Sequence, residues 1–376
     1  MRIALFNVEL KDDLVPVPYI PTSKCRGIFK ATYDNGRILS AEVISEMTIT
    51  DIDYNIIRSQ YNFDMEIITV ASARYGRLPK SFRDCVLDYF KQKTDLKNKP
   101  SDNEHSADFY KLMYDKLKNL LNAQYGMMAQ DPVKFDTKYY SDLEELYKDE
   151  DINEREKLDK YNKKAFLSYA WGVYVTARAR EHLQKAIDLC GINFVYCDTD
   201  SCKYLGNDVD WEILNKEVRK KAEANNTYAI DPNGVKHYMG VFEIEEHIKR
   251  FKTMGAKKYA YVDDDGELHI TIAGVNKKIG AIELVRAAKK RSPEIGPVVD
   301  PLFMMAEGFV FKYGGGLEAR YSDHPEKDGI TEYITEDGVP IRITRNVSLV
   351  DNTKTLGLAG EYRELLDRVH KINIDI

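Results

Sequence analysis

Ile192-Asn-Phe-Val-Tyr-Cys197-Asp198-Thr199-Asp200-Ser201-Cys-Lys-Tyr-Leu205 places two carboxylates, two residues apart, between two short runs of strand-forming residues. Residues 193–197 and 201–205 read as strands, with a tight acidic turn between them. Residues i and i+2 of a strand point the same way, so at a hairpin turn both carboxylates can reach one spot. Two like charges that close repel and raise one pKa unless a cation lies between them. Magnesium prefers hard oxygen ligands and resolves that conflict. The plain alternative is an ordinary Asp-rich turn, and Asp263-Asp-Asp-Gly266 is such a turn in the same chain. What separates the two is the apolar stretch Ile192–Tyr196, which would bury the base of the first turn.

Working upstream, Lys118-Asn-Leu-Leu-Asn122-Ala-Gln-Tyr125-Gly126 falls in a helical pattern over 106–130. Positions i, i+4 and i+7 share a helix face, so Lys118, Asn122 and Tyr125 form one stripe. A cation, an amide and a ring suit a nucleoside triphosphate, with Lys on phosphate and the ring on sugar or base. Taken alone, the stripe is better read as a solvated Lys beside a half-buried Tyr. A second helix over 80–98 precedes it across Pro100-Ser-Asp-Asn103, making a helical hairpin.

Residues 1–45 read as strands joined by turns, one of them Asp34-Asn35-Gly36. Thr50-Asp51-Ile52-Asp53 has the form of a capping box opening a helix over about 51–61. A strand follows over 63–72. Its Asp64-Met-Glu66 has the DxE form of an exonuclease motif but reads better as strand alternation. Phe166–Leu189 is a long helix stopped by Gly191. Beyond the acidic turn come a helix at 209–225, strands near 239–246, 257–262 and 267–273, a strand pair at about 329–349 and a helix at 358–369. The five cysteines form no CxxC pair and no Cys/His cluster, which argues against zinc. No apolar run approaches the roughly 18 residues of a membrane span, and the first ten residues lack a signal-peptide core.

The acidic turn and the helical stripe together resemble family B DNA polymerases, most closely the protein-primed phage and mobile-element type. Tyr196-Cys-Asp-Thr-Asp-Ser201 is similar to that family's YxDTDS palm motif. Lys118–Gly126 resembles its KxxxNSxYG fingers motif, with Ala123 where Ser is usual. Thr176-Ala-Arg-Ala-Arg180 resembles its TxxGR primer-template motif, with Ala179 in place of Gly. Lys257-Lys258-Tyr259 matches its KxY motif. The four occur in the family's order, and the resemblance runs through nearly the whole chain, more loosely before 80 and after 290.

The resemblance implies an α+β fold: a palm of antiparallel sheet with helices, helical fingers and a small mixed thumb. It divides the chain into palm at 1–79, fingers at 80–130, a charged insertion at 131–165, palm with the catalytic hairpin at 166–275, and thumb with the C-terminal region at 276–376. The implied activity is template-directed transfer of a nucleotide from a dNTP to a primer 3′-hydroxyl. Asp198 and Asp200 would bind two Mg2+ ions, and Lys118, Asn122 and Tyr125 the nucleotide, with help from Lys93. Thr176, Arg180, Lys257 and Tyr259 would contact primer-template DNA. A terminal protein is a candidate primer, no membrane is involved, and the setting is the cytoplasm of a host cell.

Two-metal phosphoryl transfer needs carboxylates on both ions. The family takes one from an upstream DxxSLYP motif, and no such segment occurs in these residues. Asp51-Ile-Asp53 lies on the expected helix and is a poor substitute. By order along the family, Met1 falls just after the place where that motif ends. The expectation is therefore the C-terminal part of a split or truncated enzyme, with the remaining carboxylate supplied by an N-terminal polymerase half on a separate chain. The alternatives are a fragment that binds DNA or nucleotide without turnover, and an interaction protein on a polymerase palm scaffold.

Charge first argues against a nucleic-acid partner, since the net is −6 over 376 residues. Local counts reverse that. Residues 141–160 hold nine acids against four bases, while 247–291 hold eleven bases against five acids. The total averages a solvated acidic insertion over a basic stretch that can follow phosphates.

Overall fold

In the computed structural model the described residues are 1–129 (except 13, 75 and 98), 137–140, 145–148, 156, 158–159, 168–295, 299–313, 315, 317–321, 330–334, 340–344 and 347–358. The fold is mixed α+β, and every paired strand is antiparallel. Two compact units emerge: residues 1–132 with 158–243, and residues 133–157 with 244–376.

The first unit opens with a four-stranded sheet. Strands β1 (Arg2–Leu10), β2 (Cys25–Asp34), β3 (Arg37–Thr48) and β4 (Tyr61–Thr69) lie in the order β2-β3-β1-β4. Asn35 (φ 45°) and Gly36 (φ 72°) join β2 to β3, the positive-φ pair that a two-residue hairpin demands. Ile3 and Leu5 of β1 and Ile38 and Ile44 of β3 are fully buried and build the core of this unit. Helix α1 (Asp51–Gln60) starts on the expected capping box, with Thr50 Oγ1 accepting from the Asp53 amide and Asp53 Oδ2 accepting from the Thr50 amide. Asp64 of β4 accepts from Asn7 Nδ2 across the sheet at 2.9 Å, so the DxE triplet is a strand, as its alternation indicates.

Helices α2 (Lys80–Asp95) and α3 (Ala107–Met128) form the expected hairpin, α3 being capped by Ser106, whose Oγ accepts from the Phe109 amide at 3.2 Å. After the pair β5 (Thr137–Tyr140) and β6 (Glu145–Lys148), in the other unit, comes α4 (Tyr169–Cys190). This helix is the spine of the first unit. Gly172 lets it approach the end of α3, since a Cβ there would lie 2.9 Å from Ala129 Cβ. Ala177 packs with Ile52 and Ile56 of α1. Cys190 at its end meets Cys202, sulfur to sulfur at 3.6 Å. Gly191, at φ 52°, stops the helix as its sequence position suggested.

The short strands β7 (Phe194–Asp198) and β8 (Ser201–Tyr204) follow, then α5 (Glu212–Asn225) and the pair β9 (Tyr228–Ile230) and β10 (Lys236–Tyr238). The sequence reading missed β9 and β10, and the strand it placed near 239–246 is not one. Asn215 of α5 takes that strand's role: its Nδ2 donates to the Phe242 carbonyl at 2.7 Å and its Oδ1 accepts from the Phe242 amide at 2.8 Å. A buried amide side chain thus pairs with the backbone as a neighbouring strand would.

In the second unit β11 (Ile248–Thr253), β12 (Lys258–Asp263) and β13 (Leu268–Ile272) form a three-stranded sheet. Helices α6 (Lys277–Ile295) and α7 (Pro301–Met304), strand β14 (Val310–Phe311) and β19 (Lys354–Thr355) cover it around Met254, Ile270, Leu284, Met305 and Phe311. Strand β15 (Leu317–Tyr321) pairs with β18 (Val347–Asp351), and β16 (Ile330–Ile334) with β17 (Pro340–Thr344). The expected helix at 358–369 falls almost wholly outside the described residues, as does most of the charged insertion. Among the described residues no helix is long and apolar enough to cross a membrane.

Candidate functional site

The β7–β8 hairpin pairs Cys197 with Cys202 and Asp198 with Ser201, leaving Thr199 and Asp200 as a two-residue loop. Thr199 sits at φ 56°. Such a loop needs positive φ at its first position, which glycine normally supplies. A β-branched residue there is an outlier, and strain of this kind costs about 1–3 kcal/mol. Local hydrogen bonds hold the turn: the Asp200 amide donates to the Asp198 carbonyl at 2.7 Å, Ser201 Oγ to the same carbonyl at 3.2 Å, and Thr199 Oγ1 to Asp198 Oδ1 at 3.0 Å. Asp198 is half-buried and Asp200 exposed. Burial beneath them pushes the Cys197 and Cys202 thiols up, which keeps those side chains neutral.

The side chains at this turn offer two carboxylates and two hydroxyls, and the Lys203 ammonium donates to Ser201 Oγ at 3.0 Å. Oxygen is the donor type magnesium takes, and magnesium is commonly held by one or two carboxylates together with substrate phosphates. The residues fit the ion. Among the described residues, no three His, Cys, Asp or Glu side chains converge to hold a metal.

On α3, Lys118, Asn122 and Tyr125 lie on the exposed side, Tyr125 being 48% exposed, while Tyr110, Leu117 and Met128 are buried. Lys93 of α2 joins the stripe. Its ammonium lies 5.7 Å from the centre of the Tyr114 ring, one helical turn before Lys118. It is held below the ordinary lysine range by burial first and then by the Lys118 charge, with Glu243 opposing. The hairpin therefore brings two cations close together beside exposed aromatic surface.

Thr176 and Arg180 sit one turn apart on α4. The Thr176 hydroxyl donates back to the Val173 carbonyl at 2.8 Å. Arg180, expected to contact primer-template DNA, is held by an ion pair within the first unit. Its Nη2 donates to both Asp53 oxygens at 2.9 and 3.0 Å, and its Nε to Asp53 Oδ1 at 3.1 Å. The Tyr19 hydroxyl donates to Asp53 Oδ1 at 2.5 Å, and the Thr50 hydroxyl to Asp53 Oδ2 at 2.7 Å. Burial pushes the Asp53 carboxyl up, but the hydrogen bonds from Tyr19, Thr50 and Arg180 together outweigh it, and its pKa lies below the usual value. Lys24 and Arg37 add positive charge here. The Lys24 ammonium is lowered by burial first and then by Arg180.

Sequence reasoning missed Asp53, Tyr19, Lys24 and Arg37. The capping box already gave Asp53 a complete local role, and nothing in the sequence pointed to a partner 127 residues away.

Lys257 and Tyr259 belong to the second unit. Lys257 occupies the β11–β12 turn, exposed and at φ 54°, another position where strain is retained. Tyr259 is 8% exposed, its ring packed between those of Phe251 and Tyr261.

No protein-family model matches the chain, and no curated protein matches it.

Proposed function

We propose that this chain is the nucleotidyl-transfer part of a DNA polymerase of the protein-primed family B type. The observation that carries the reading is the Asp198-Thr199-Asp200 turn. Two carboxylates are presented on a hairpin tip whose first loop residue is a threonine at positive φ. Four motifs in family order support it, as does the Lys93–Lys118 pair on the α2–α3 hairpin.

In this reading Lys118 and Lys93 bind the triphosphate and gain from its negative charge. Tyr125 packs against the sugar, and Asn122 offers an amide beside it. Asp198 and Asp200 hold magnesium. When bound, that ion supplies Lewis acidity to the 3′-hydroxyl and neutralises charge on the phosphates. The primer oxygen attacks the α-phosphorus, the bond to the leaving pyrophosphate breaks, and the hydroxyl proton departs to solvent. In the first unit Arg180 contacts the duplex backbone, aided by Thr176; in the second unit the exposed Lys257 is the cation suited to phosphate, and the buried Tyr259 packs the strand that follows it. A further carboxylate comes from residues outside these 376, in the N-terminal polymerase half, and priming by a terminal protein fits the same reading.

A second reading, binding without turnover, is favoured by the lack of a DxxSLYP segment in the sequence. One variant separates the two. With the N-terminal half present, Asp200→Asn abolishes primer extension while primer-template affinity changes less than threefold. Equal loss of binding and rate contradicts a metal-holding role. Absence of extension by the wild-type pair, with binding intact, selects the second reading.

A further inference from the structure

Arg180 offers five N–H donors in a fixed fork. The edge formed by Nε and Nη2 is fully taken up by Asp53 and Tyr19. Nη1 makes no hydrogen bond among the described residues, and the side chain is 34% exposed while Asp53 is 8% exposed. A guanidinium is planar, so fixing one edge fixes the direction of the remaining donors. Asp53 cannot move either. Its carboxylate is pinned by the Thr50 amide and hydroxyl and by Tyr19, and it caps α1. The clamp joins two elements far apart in sequence, α1 and α4, at one point.

We infer that Asp53, with Tyr19 behind it, is the positioning residue for Arg180, turning the guanidinium's free Nη1 edge outward to take a backbone phosphate of the bound duplex. This rests on the polymerase reading, and it assigns Asp53 a role beyond its helix cap. The surroundings suit a phosphate. Lys24 lies within the field of both Arg180 and Asp53, and Arg37 within that of Lys24, so further positive charge lies near the clamp. The alternative is a purely structural ion pair tying α1 to α4, which predicts a different response.

A negative charge beside a DNA-binding surface opposes the phosphates. If Asp53 only braces the fold, neutralising it tightens DNA binding or leaves it unchanged. If Asp53 positions Arg180, neutralising it weakens binding, because the fork is no longer held. The experiment is a fluorescence-anisotropy titration of a labelled primer-template duplex with the full chain, at several salt concentrations. It uses wild type, Arg180→Lys, Asp53→Asn, Tyr19→Phe and the Asp53→Asn/Arg180→Lys double variant, each below its own melting temperature.

Arg180→Lys keeps the charge but loses the fork, and is expected to weaken binding roughly tenfold, the scale of a charged hydrogen bond. Asp53→Asn is expected to weaken it to a similar extent, Tyr19→Phe by less, and the double variant no further than either single change. Should Asp53→Asn fold poorly, Tyr19→Phe carries the test, since it removes one hydroxyl and leaves the ring. Binding that is unchanged or tighter in both Asp53→Asn and Tyr19→Phe, with Arg180→Lys weakened, overturns the inference and leaves the polymerase reading standing. A wild-type chain that does not bind the duplex overturns the polymerase reading, and this inference with it.

Discussion

Thr199 carries a backbone conformation that its β-branched side chain disfavours, in the loop between the two carboxylates of the hairpin tip. Replacing it with glycine relieves the strain while adding some backbone entropy to the unfolded chain. Thr199→Gly is therefore expected to stabilise the first unit by about 1 kcal/mol in a denaturant titration, since relief of about 1–3 kcal/mol exceeds the 0.5–1 kcal/mol glycine cost. A destabilised variant contradicts the strain. Asp53 makes a second prediction at this scale. Its folded pKa is lowered, so its contribution is present above the unfolded value near 3.9 and is lost as pH falls through the folded value. The difference in melting temperature between wild type and Asp53→Asn is thus expected to be largest near neutral pH and to shrink below about pH 4. A difference that stays constant down to pH 2 rules out the ionised clamp.

The β7–β8 hairpin and the exposed stripe of α3 were legible because each lies within a few residues of sequence. The apolar stretch expected to bury the base of the acidic turn does not do so, Ile192 being 82% and Val195 38% exposed. The clamp was not legible, because Tyr19, Asp53 and Arg180 meet only through tertiary packing. Lys93 lay between these cases. Its place before the stripe suggested help, but only the pairing of α2 with α3 sets it near Lys118.

Among elements, those with chemical punctuation were the readable ones. The capping box at Thr50, the Asn35-Gly36 turn and the Gly191 stop all stand where the sequence put them. The three-residue strands β9 and β10 are too short to show a period, and the strand expected near 239–246 is absent, the backbone of Phe242 pairing instead with the Asn215 side chain. Element packing yields a further prediction. Gly280 of α6 faces β13, where an added Cβ would clash with Ile270 Cδ1 and come within 2.7 Å of Val275 Cγ1. Gly280→Ala is expected to destabilise the second unit by about 1–3 kcal/mol, the usual cost of overpacking. An unchanged melting profile would show that α6 can shift off the sheet freely.

At the scale of the whole molecule, the compact units divide after Glu243, and the segment 133–157 belongs with the C-terminal residues rather than with its chain neighbours. Sequence reading marked that segment by its charge but had no means of assigning it to a unit, since contacts, not composition, decide membership. The opposed local charges matter more than the net −6: most of the acidic insertion and the whole basic 247–291 stretch fall in the second unit. For a duplex-binding surface built on exposed Lys and Arg, binding is expected to weaken steeply between 50 and 200 mM salt. If Asp198 and Asp200 serve nucleotidyl transfer, primer extension with magnesium depends on both. The chain alone is expected to give little or no extension. With a polypeptide carrying the DxxSLYP segment it is expected to extend the primer, and Asp200→Asn is expected to abolish that product. Extension that survives Asp200→Asn would contradict the account.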